Sequence, residues 1–440
     1  MKSASQQILD RLRRYESRNV TFLDPDGSWP IVWEKARGCH VWDAEGRRYL
    51  DLTAAFGVAA AGHANPRVVA AGRRQMGRLL HAMGDVHPHA LKADLARELS
   101  RITFARWSRG GPRLTGKTIF CNSGFEAVEA ALKTAVLATG RPGIIAFEGG
   151  YHGLGYGALN ATHRKFFRDS FRAQLGEFGQ FAPFPEIEAD FPALEDRLRQ
   201  FFRRRNTGAF LVEPIQARGG IRLPPAGFLP LLRRLCDEHG ALLILDEIYT
   251  GFGRTGRWFA CEHSGVTPDL VCLGKALTGG FPLSACVGRA DWMDAAWPAS
   301  NGEAIHTSTF LGHPVGCAMA LAQIREIGRL KLVERSAWLG ACFLDQLRAA
   351  VQDSFGTARI RGLGLMAGIE FLNKTGAPAA AATLDLIKRM LRRGLVLLPE
   401  GEHGNVLSFT PPLTISESEL QRTAGVLGQE LAAQAADEPA

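Results

Sequence analysis

An alternation of short apolar runs with helical patterns, between residues 115 and 290, constrains the fold more than any other feature of this sequence. The runs are bounded by Gly, Pro or Asn, and they are Lys117–Cys121, Gly143–Phe147, Ala209–Glu213, Ala241–Asp246, Leu270–Leu273 and Ser284–Val287. Helical patterns separate them, and those over Phe125–Thr139 and Phe228–His239 each end at a glycine. Near-continuous apolar strands that alternate with helices predict an α/β fold whose sheet is mainly parallel and covered on both faces.

The two ends of the chain have a different pattern. Residues 31–52 alternate and turn at Asp43–Gly46, which predicts a hairpin. The C-terminal part mixes helical and strand patterns. We therefore predict a large domain over residues 61–325 and a small α+β domain that is built from residues 1–60 and 326–440.

Composition and local pattern argue against several classes of function. The net charge is +8, but the basic residues do not cluster with aromatic residues, so we expect no nucleic-acid partner. Residues 1–18 are polar and no apolar run reaches about 18 residues, so we expect neither a secretory signal nor a membrane partner. The eight cysteines form no CxxC pair and no histidine cluster accompanies them, which predicts a reduced, cytoplasmic protein without a metal site.

Two side chains of complementary chemistry stand at the ends of apolar runs. Asp246 ends the run Ala241–Asp246, and Lys275 stands between a Leu-Gly pair and a glycine-rich turn. Ligands bind at the carboxyl ends of parallel strands, so we expect both side chains at one edge of the sheet. A lysine that can form a Schiff base and an aspartate that can pair with a pyridinium nitrogen are what a pyridoxal phosphate (PLP) enzyme needs. A surface lysine and an aspartate that caps a turn are the alternative interpretations.

Three further segments carry groups that suit the same cofactor. Ser123–Phe125 opens a predicted helix directly after a strand, and free N–H groups at a helix N-terminus suit a phosphate, although a plain capping turn has the same pattern. Tyr151, next to His152 at the end of another strand, could stack on the cofactor ring. Ile248 could pack against one face of that ring.

These residues and their spacing resemble the class III PLP-dependent aminotransferases of fold type I, a family that includes ornithine and 4-aminobutyrate aminotransferases and glutamate-1-semialdehyde aminomutase. The resemblance covers residues 33–415. Its most specific part is Asp246–Gly256 together with Lys275. Gly38–Gly46 and Gly62–Pro66 are similar to the N-terminal hairpin of the family and to the Gly-His segment that follows it.

The resemblance implies roles for individual positions. Lys275 is the Schiff-base lysine and proton carrier, and Asp246 is the partner of the pyridinium nitrogen. The cofactor-binding set that we expect is Ser123, Gly124, Phe125, Tyr151, His152, Glu213, Asp246, Ile248, Lys275 and Thr309. Thr309 matches a phosphate-binding threonine that the neighbouring subunit donates, so the resemblance implies a homodimer with active sites at the subunit interface. Phe125 stands where many members have Ser or Thr, and Tyr249 replaces a glutamine.

The substrate pocket departs further from the family pattern. Leu154 and Ser408 stand where the glutamate-using members have arginines, and neither can hold a carboxylate in the bidentate fork of a guanidinium. Family position assigns Phe56 and Val58 to the same pocket. Together these residues predict an apolar or neutral pocket that favours pyruvate over 2-oxoglutarate.

The function that the resemblance implies is transfer of an amino group from an amine or amino acid to a 2-oxo acid by a ping-pong mechanism. A PLP-dependent isomerase on the same scaffold, either an aminomutase or an amino-acid racemase, shares every cofactor contact and stays open. A non-catalytic binding protein is disfavoured by the intact Lys275 and Asp246. A nicotinamide enzyme is disfavoured because no GxGxxG follows an early strand.

Overall fold

The computed structural model describes residues 2–24, 27–108, 111–204, 206–352 and 357–437. The strands in this part of the chain are β1 (Trp33–Arg37), β2 (His40–Asp43), β3 (Arg48–Asp51), β4 (Gly116–Cys121), β5 (Gly143–Phe147), β6 (Gly179–Ala182), β7 (Thr207–Val212), β8 (Leu242–Asp246), β9 (Leu270–Leu273), β10 (Ser284–Arg289), β11 (Thr357–Gly362), β12 (Ala367–Leu372), β13 (Leu395–Val396), β14 (Leu398–Glu400) and β15 (Val406–Phe409). The helices are α1 (Ala4–Tyr15), α2 (Ala54–Gly57), α3 (Pro66–Met76), α4 (Ala90–Ile102), α5 (Phe104–Trp107), α6 (Gly124–Thr139), α7 (Tyr156–Leu159), α8 (Lys165–Arg168), α9 (Phe191–Arg204), α10 (Phe228–His239), α11 (Ala290–Ala296), α12 (Pro314–Arg329), α13 (Leu332–Ala350), α14 (Ala380–Arg392) and α15 (Glu417–Asp437).

A seven-stranded sheet with the order β4-β10-β9-β8-β7-β5-β6 forms the centre of the protein. β10 pairs antiparallel with both of its neighbours, whereas the pairs from β9 to β6 are parallel. Six of the seven strands occupy the predicted apolar runs to within two residues at their starts and ends. The predicted α/β fold with a mainly parallel sheet is confirmed.

Apolar side chains cover the central sheet on both faces. Along the fully buried β8, Ile244 packs on the face that carries α6, while Leu243 and Leu245 pack on the opposite face with α10. Successive side chains of a strand point to opposite faces, so a continuous apolar run is required when both faces are covered. Helix α6 follows β4 after a short turn, and Gly140, the residue that caps its C-terminus, has the left-handed φ of +67° that ends many helices.

Two four-stranded sheets lie outside the central one. One has the order β1-β2-β3-β13 and the other the order β11-β12-β15-β14. Parallel pairing of Leu395 with Leu50 joins the N-terminal and C-terminal parts of the chain in one sheet. The small α+β unit predicted from both termini is therefore present, while the boundaries at residues 60 and 325 stay a prediction.

Three further observations bear on the sequence interpretation. Within the described ranges, no helix is both long enough and apolar enough to cross a membrane. All eight cysteines are free, and seven of them are buried. Among the residues that the structure describes, no group of His, Cys, Asp and Glu is arranged to hold a metal ion.

Candidate active site

Lys275 and Asp246 stand at the carboxyl ends of adjacent strands of the central sheet. Asp246 is the last residue of β8 and pairs in register with Cys272 of β9, and Lys275 follows β9 after Gly274. Lys275 has a left-handed φ of +42°, which is uncommon for a residue with a side chain and concentrates at functional sites. Parallel strands place both side chains at one edge, as the sequence predicts.

The carboxylate of Asp246 is held by two hydrogen bonds. Its Oδ2 lies 2.8 Å from Nδ1 of His152, and its Oδ1 accepts a hydrogen bond of 3.1 Å from the backbone N–H of Ile248. Both Asp246 and His152 are buried. A buried carboxylate is tolerated when its oxygens are bonded, so these contacts keep a fixed negative charge at the floor of the site.

The ammonium of Lys275 lies in a buried setting. Its Nζ is 4.7 Å from the centroid of the Tyr249 ring. Burial lowers the pKa of Lys275, and the nearby carboxylates of Asp246 and Glu213 oppose that change. Desolvation of this kind raises the fraction of neutral amine, which is the form that attacks a carbonyl.

Glu213 connects two loops at the same edge of the sheet. Its Oε2 accepts a hydrogen bond of 2.9 Å from the N–H of Tyr151, and its Oε1 accepts one of 3.1 Å from the N–H of Ala217. Burial raises the pKa of Glu213 to about 7. The side chain therefore fixes the position of Tyr151, and its own charge changes near neutral pH.

The N-terminus of α6 opens on the same edge. The first turn of a helix has N–H groups without intrahelical acceptors, and these groups attract an anion. Oε2 of Glu126 accepts from the N–H groups of Asn122 and Ser123, which leaves the next two N–H groups, of Gly124 and Phe125, as the candidates for a phosphate. The buried hydroxyl of Ser123 has no hydrogen-bond partner among the described residues. An orphaned hydroxyl at a helix N-terminus fits a phosphate-bearing cofactor.

A cavity of about 440 Å³ joins these groups. It is lined by Gly124, Phe125, Tyr151, His152, Gly153, Leu154, Glu213, Ala217, Arg218, Asp246, Ile248, Tyr249 and Lys275. Most of the residues that the sequence assigns to the cofactor are among them, and Ser123 adjoins them. A Cβ on Gly124 would lie 3.1 Å from Cδ1 of Ile248, so a larger residue would press on Ile248 where α6 meets the cavity floor.

Other predicted residues do not line this cavity. Ser408 is buried on β15, where its hydroxyl donates to the carbonyl of Leu398 at 3.2 Å. Thr309 is exposed on the segment that follows α11. Phe56 is half exposed and Val58 is partly buried beside it, so of the four predicted pocket residues only Leu154 lines the cavity.

The segment that carries Phe56 has an unusual backbone. Three consecutive residues with side chains, Ala54, Ala55 and Phe56, have φ between +47° and +61°. A Cβ on Gly57 would lie 3.0 Å from the ring of Tyr249, so this left-handed turn packs against a wall of the cavity. Strained backbone that the surrounding structure maintains is concentrated at functional sites.

The sequence interpretation missed one charged residue of the cavity. Arg218 lines it from the loop after β7, with its guanidinium 5.5 Å from the centroid of the Tyr151 ring. Its Nε lies 3.5 Å from Oε2 of Glu400, the last residue of β14. The position of Arg218, five residues after Glu213 in the same strand-end loop, is a local signal that could have found it, whereas Glu400 has no such signal.

Comparison with known proteins agrees with this geometry. Residues 23–431 match the family Aminotransferase class-III. The chain is 37% identical over 404 residues to the acetylornithine aminotransferase of Methanosarcina acetivorans, with 92% of each chain covered. It is 34% identical over 440 residues to the 5-aminovalerate aminotransferase of Pseudomonas aeruginosa, with 98% of this chain and 99% of that protein covered. A solved amine transaminase from an uncultivated Pseudomonas species, in its PLP-bound form, matches with a TM-score of 0.85 and 29% identity, over 96% of this chain and 98% of that chain.

Proposed function

Because this chain belongs to the class-III aminotransferase family, we propose that it transfers an amino group from an amine or amino-acid donor to a 2-oxo acid in a ping-pong sequence. The predicted family and the predicted cofactor, PLP, are confirmed. The observation that carries the proposal is the single cavity that joins Lys275, Asp246 and the N-terminus of α6.

The residues around the cavity fit PLP. Lys275 would hold its aldehyde carbon, Asp246 its ring nitrogen, Tyr151 a face of the ring, and Ser123 with Gly124 its phosphate. When bound, PLP supplies a ring that withdraws electrons from the carbon next to the transferred nitrogen. The electrostatic contribution of the protein is the buried charge of Asp246, which is fixed before reaction.

Proton transfer is the task that we assign to Lys275. Burial lowers its pKa, which favours the neutral amine at Nζ that can take the proton from the donor carbon that bears the amino group. The same atom then returns the proton on the cofactor side. The ring of Tyr249 lies beside this atom, with its centroid 4.7 Å from Nζ.

We further propose pyruvate as the preferred acceptor over 2-oxoglutarate. Leu154, half exposed on the wall of the cavity, cannot pair with a second carboxylate. Ser408 is turned toward Leu398. In the part of the chain that the structure describes, Arg218 is the arginine among the cavity residues, which supports one carboxylate seat rather than two.

We propose that the active enzyme is a cytoplasmic homodimer. Thr309 lies in an exposed segment with Ile305 and Phe310, and both of these apolar residues are more than half exposed. Exposed apolar side chains beside a site mark surfaces that bind protein. The eight free cysteines suit a reducing compartment.

A donor screen with pyruvate and 2-oxoglutarate tests the function. We expect purified, PLP-saturated enzyme to turn over repeatedly with an amine and pyruvate, and to stop after one amino transfer per site when no 2-oxo acid is present. Repeated turnover of an amino acid without any 2-oxo acid would establish an isomerase instead. Lys275→Ala should abolish both the cofactor absorbance shift on binding and activity, whereas Lys117→Ala, which removes a surface ion pair with Asp294, should change neither.

A further inference from the structure

Arg218 and Glu400 form a charged pair on one wall of the cavity. They come from two elements, the loop after β7 and the end of β14. The main chains of these elements are joined, since the N–H of Gly401 donates to the carbonyl of Arg218 at 3.1 Å. Arg361 fixes the same loop by donating to the carbonyl of Gly220 at 2.7 Å. These hydrogen bonds fix the backbone that carries the pair, so the part that can change conformation is the long side chain of Arg218.

The pair itself is loose. Nε of Arg218 and Oε2 of Glu400 are 3.5 Å apart, beyond the 2.7–2.9 Å of a good charge-assisted hydrogen bond. Nε of Arg218 has no hydrogen-bond partner within the described residues, and one third of the Arg218 side chain is exposed. No side-chain hydrogen bond to the Glu400 carboxylate is found in that same part of the chain, although only 4% of that side chain is exposed. Arg218 thus lines the cavity with a guanidinium whose Nε has no hydrogen-bond partner in the described part of the chain.

Other cations near the site are already engaged. Lys275 is committed to the cofactor in the proposed function. Arg164 packs over the Phe167 ring at 5.3 Å and donates to the carbonyl of Glu402. Arg222 donates to the carbonyls of Glu148 and Phe184. A guanidinium is a planar fork of donors that matches a carboxylate in two parallel hydrogen bonds, so Arg218 is the group best placed to receive one.

We propose that Arg218 determines specificity by binding the single carboxylate of the amino acid or 2-oxo acid, and that Glu400 is a positioning residue that holds the guanidinium when the bound substrate has no carboxylate. This inference rests on the proposed aminotransferase function. The cavity then admits a carboxylate-free amine, with the pair closed, and a 2-oxo monocarboxylate, with Arg218 turned to the substrate. A second carboxylate would meet Leu154 or the buried Glu400, which explains the expected discrimination against 2-oxoglutarate.

Binding and half-reactions of the PLP-loaded enzyme test the inference. Pyruvate does not react with the PLP form of the enzyme, so isothermal titration of that form gives the Kd of pyruvate. Absorbance stopped-flow gives the rate of amino transfer to the cofactor from L-alanine and from 1-phenylethylamine. Arg218→Met should weaken pyruvate binding about 50-fold, since a charged fork is lost, and should raise the L-alanine concentration for half-maximal rate by a similar factor. The 1-phenylethylamine half-reaction should change less than about threefold.

Three further variants complete the design. Arg218→Lys should fall between wild type and Arg218→Met because it keeps the charge without the fork. Glu400→Gln should tighten pyruvate binding several-fold, because the guanidinium no longer has a resident anion, and should lower KM for L-alanine with little change in kcat. Arg164→Met is the matched control and should leave all constants within about twofold. The thermal midpoint and cofactor absorbance of each variant report folding.

Four outcomes would contradict either the role of Arg218 or the proposed function. An Arg218→Met enzyme that binds pyruvate as wild type does, or that loses the amine and L-alanine reactions equally, overturns the role of Arg218. A loss caused by Arg164→Met instead moves the carboxylate seat to Arg164 and also overturns it. If wild type binds pyruvate through Arg218 but transfers an amino group from neither donor, the proposed function fails and the carboxylate seat stands.

Discussion

Replacement of Glu400 by Gln should change how the stability of the protein depends on pH. The Glu400 carboxyl is buried on β14, and burial raises its pKa from the ordinary 4.5 to about 7, although Arg218 and Lys275 oppose that change. The folded protein therefore binds the Glu400 proton more tightly than the unfolded chain does. Stability is lost as the pH rises from the unfolded value toward the folded one. The amide that Glu400→Gln introduces has no proton to lose, so the variant escapes this loss.

The size of the effect follows from the two pKa values. For a carboxyl with pKa 4.5 unfolded and about 7 folded, the linkage relation gives a loss of about 2.5 kcal/mol between pH 5 and pH 8. A chain of 440 residues has an unfolding entropy of about 0.9 kcal/mol per degree near its midpoint. The midpoint difference, Glu400→Gln minus wild type, should therefore increase by about 3 °C from pH 5 to pH 8.

Differential scanning fluorimetry of the PLP-loaded proteins at pH 5, 6, 7 and 8 measures this difference. Other titrating groups are common to both proteins and cancel in the subtraction. Glu402→Gln is the matched control, because Glu402 lies two residues away and is exposed, and its midpoint difference should be constant within about 1 °C. A Glu400→Gln difference as flat as that control would refute the buried, proton-binding carboxyl.

Two further substitutions test other parts of the site. Asp246→Asn removes the buried charge but keeps an acceptor for His152, so it should lower kcat about 1000-fold while PLP stays bound. Stopped-flow measures the rate and absorbance spectra report the bound PLP. A loss of kcat below tenfold would contradict the electrostatic role. Gly153→Ala places a Cβ 2.3 Å from Cβ of Phe125 at a φ of +108°, so it should destabilise the protein by roughly 3 kcal/mol in urea unfolding. Gly425→Ala, in helix α15 with no atom within 4 Å of its Cβ, is the control and should be neutral or stabilising.

The central sheet was predictable because its strands are buried on both faces. The run Leu242–Asp246 has no polar residue before its end and all five of its residues are buried, as a strand that is covered on both faces requires. β6 was missed for the converse reason. Three of its four residues, in Gly-Gln-Phe-Ala, are only partly buried at the edge of the sheet, so the sequence carries no continuous apolar run.

The floor of the candidate site was predictable for a related reason. Lys275, Asp246 and Glu213 all stand at the carboxyl ends of buried strands, and parallel pairing places such positions at one edge of the sheet. The contacts that hold these three residues in place were not predictable. The sequence groups His152 with the residues that touch the cofactor, while the structure also bonds it to Asp246. The left-handed turn at Ala54–Gly57 lacks any local signal other than its single glycine.

The charge of the substrate pocket could not be predicted from single positions of the sequence. Leucine at 154 and serine at 408 remove two expected cations, and from those losses alone the pocket is neutral. The charge of a pocket depends on side chains from every element that lines it. Here the loop after β7 contributes the guanidinium of Arg218, and β14 contributes the carboxylate of Glu400. These two residues are far apart in sequence and meet only because the loop after β7 lies against β14. In the function that we propose, the one cation of Arg218 replaces two arginines, and the pocket selects substrates with one carboxylate or none instead of dicarboxylates.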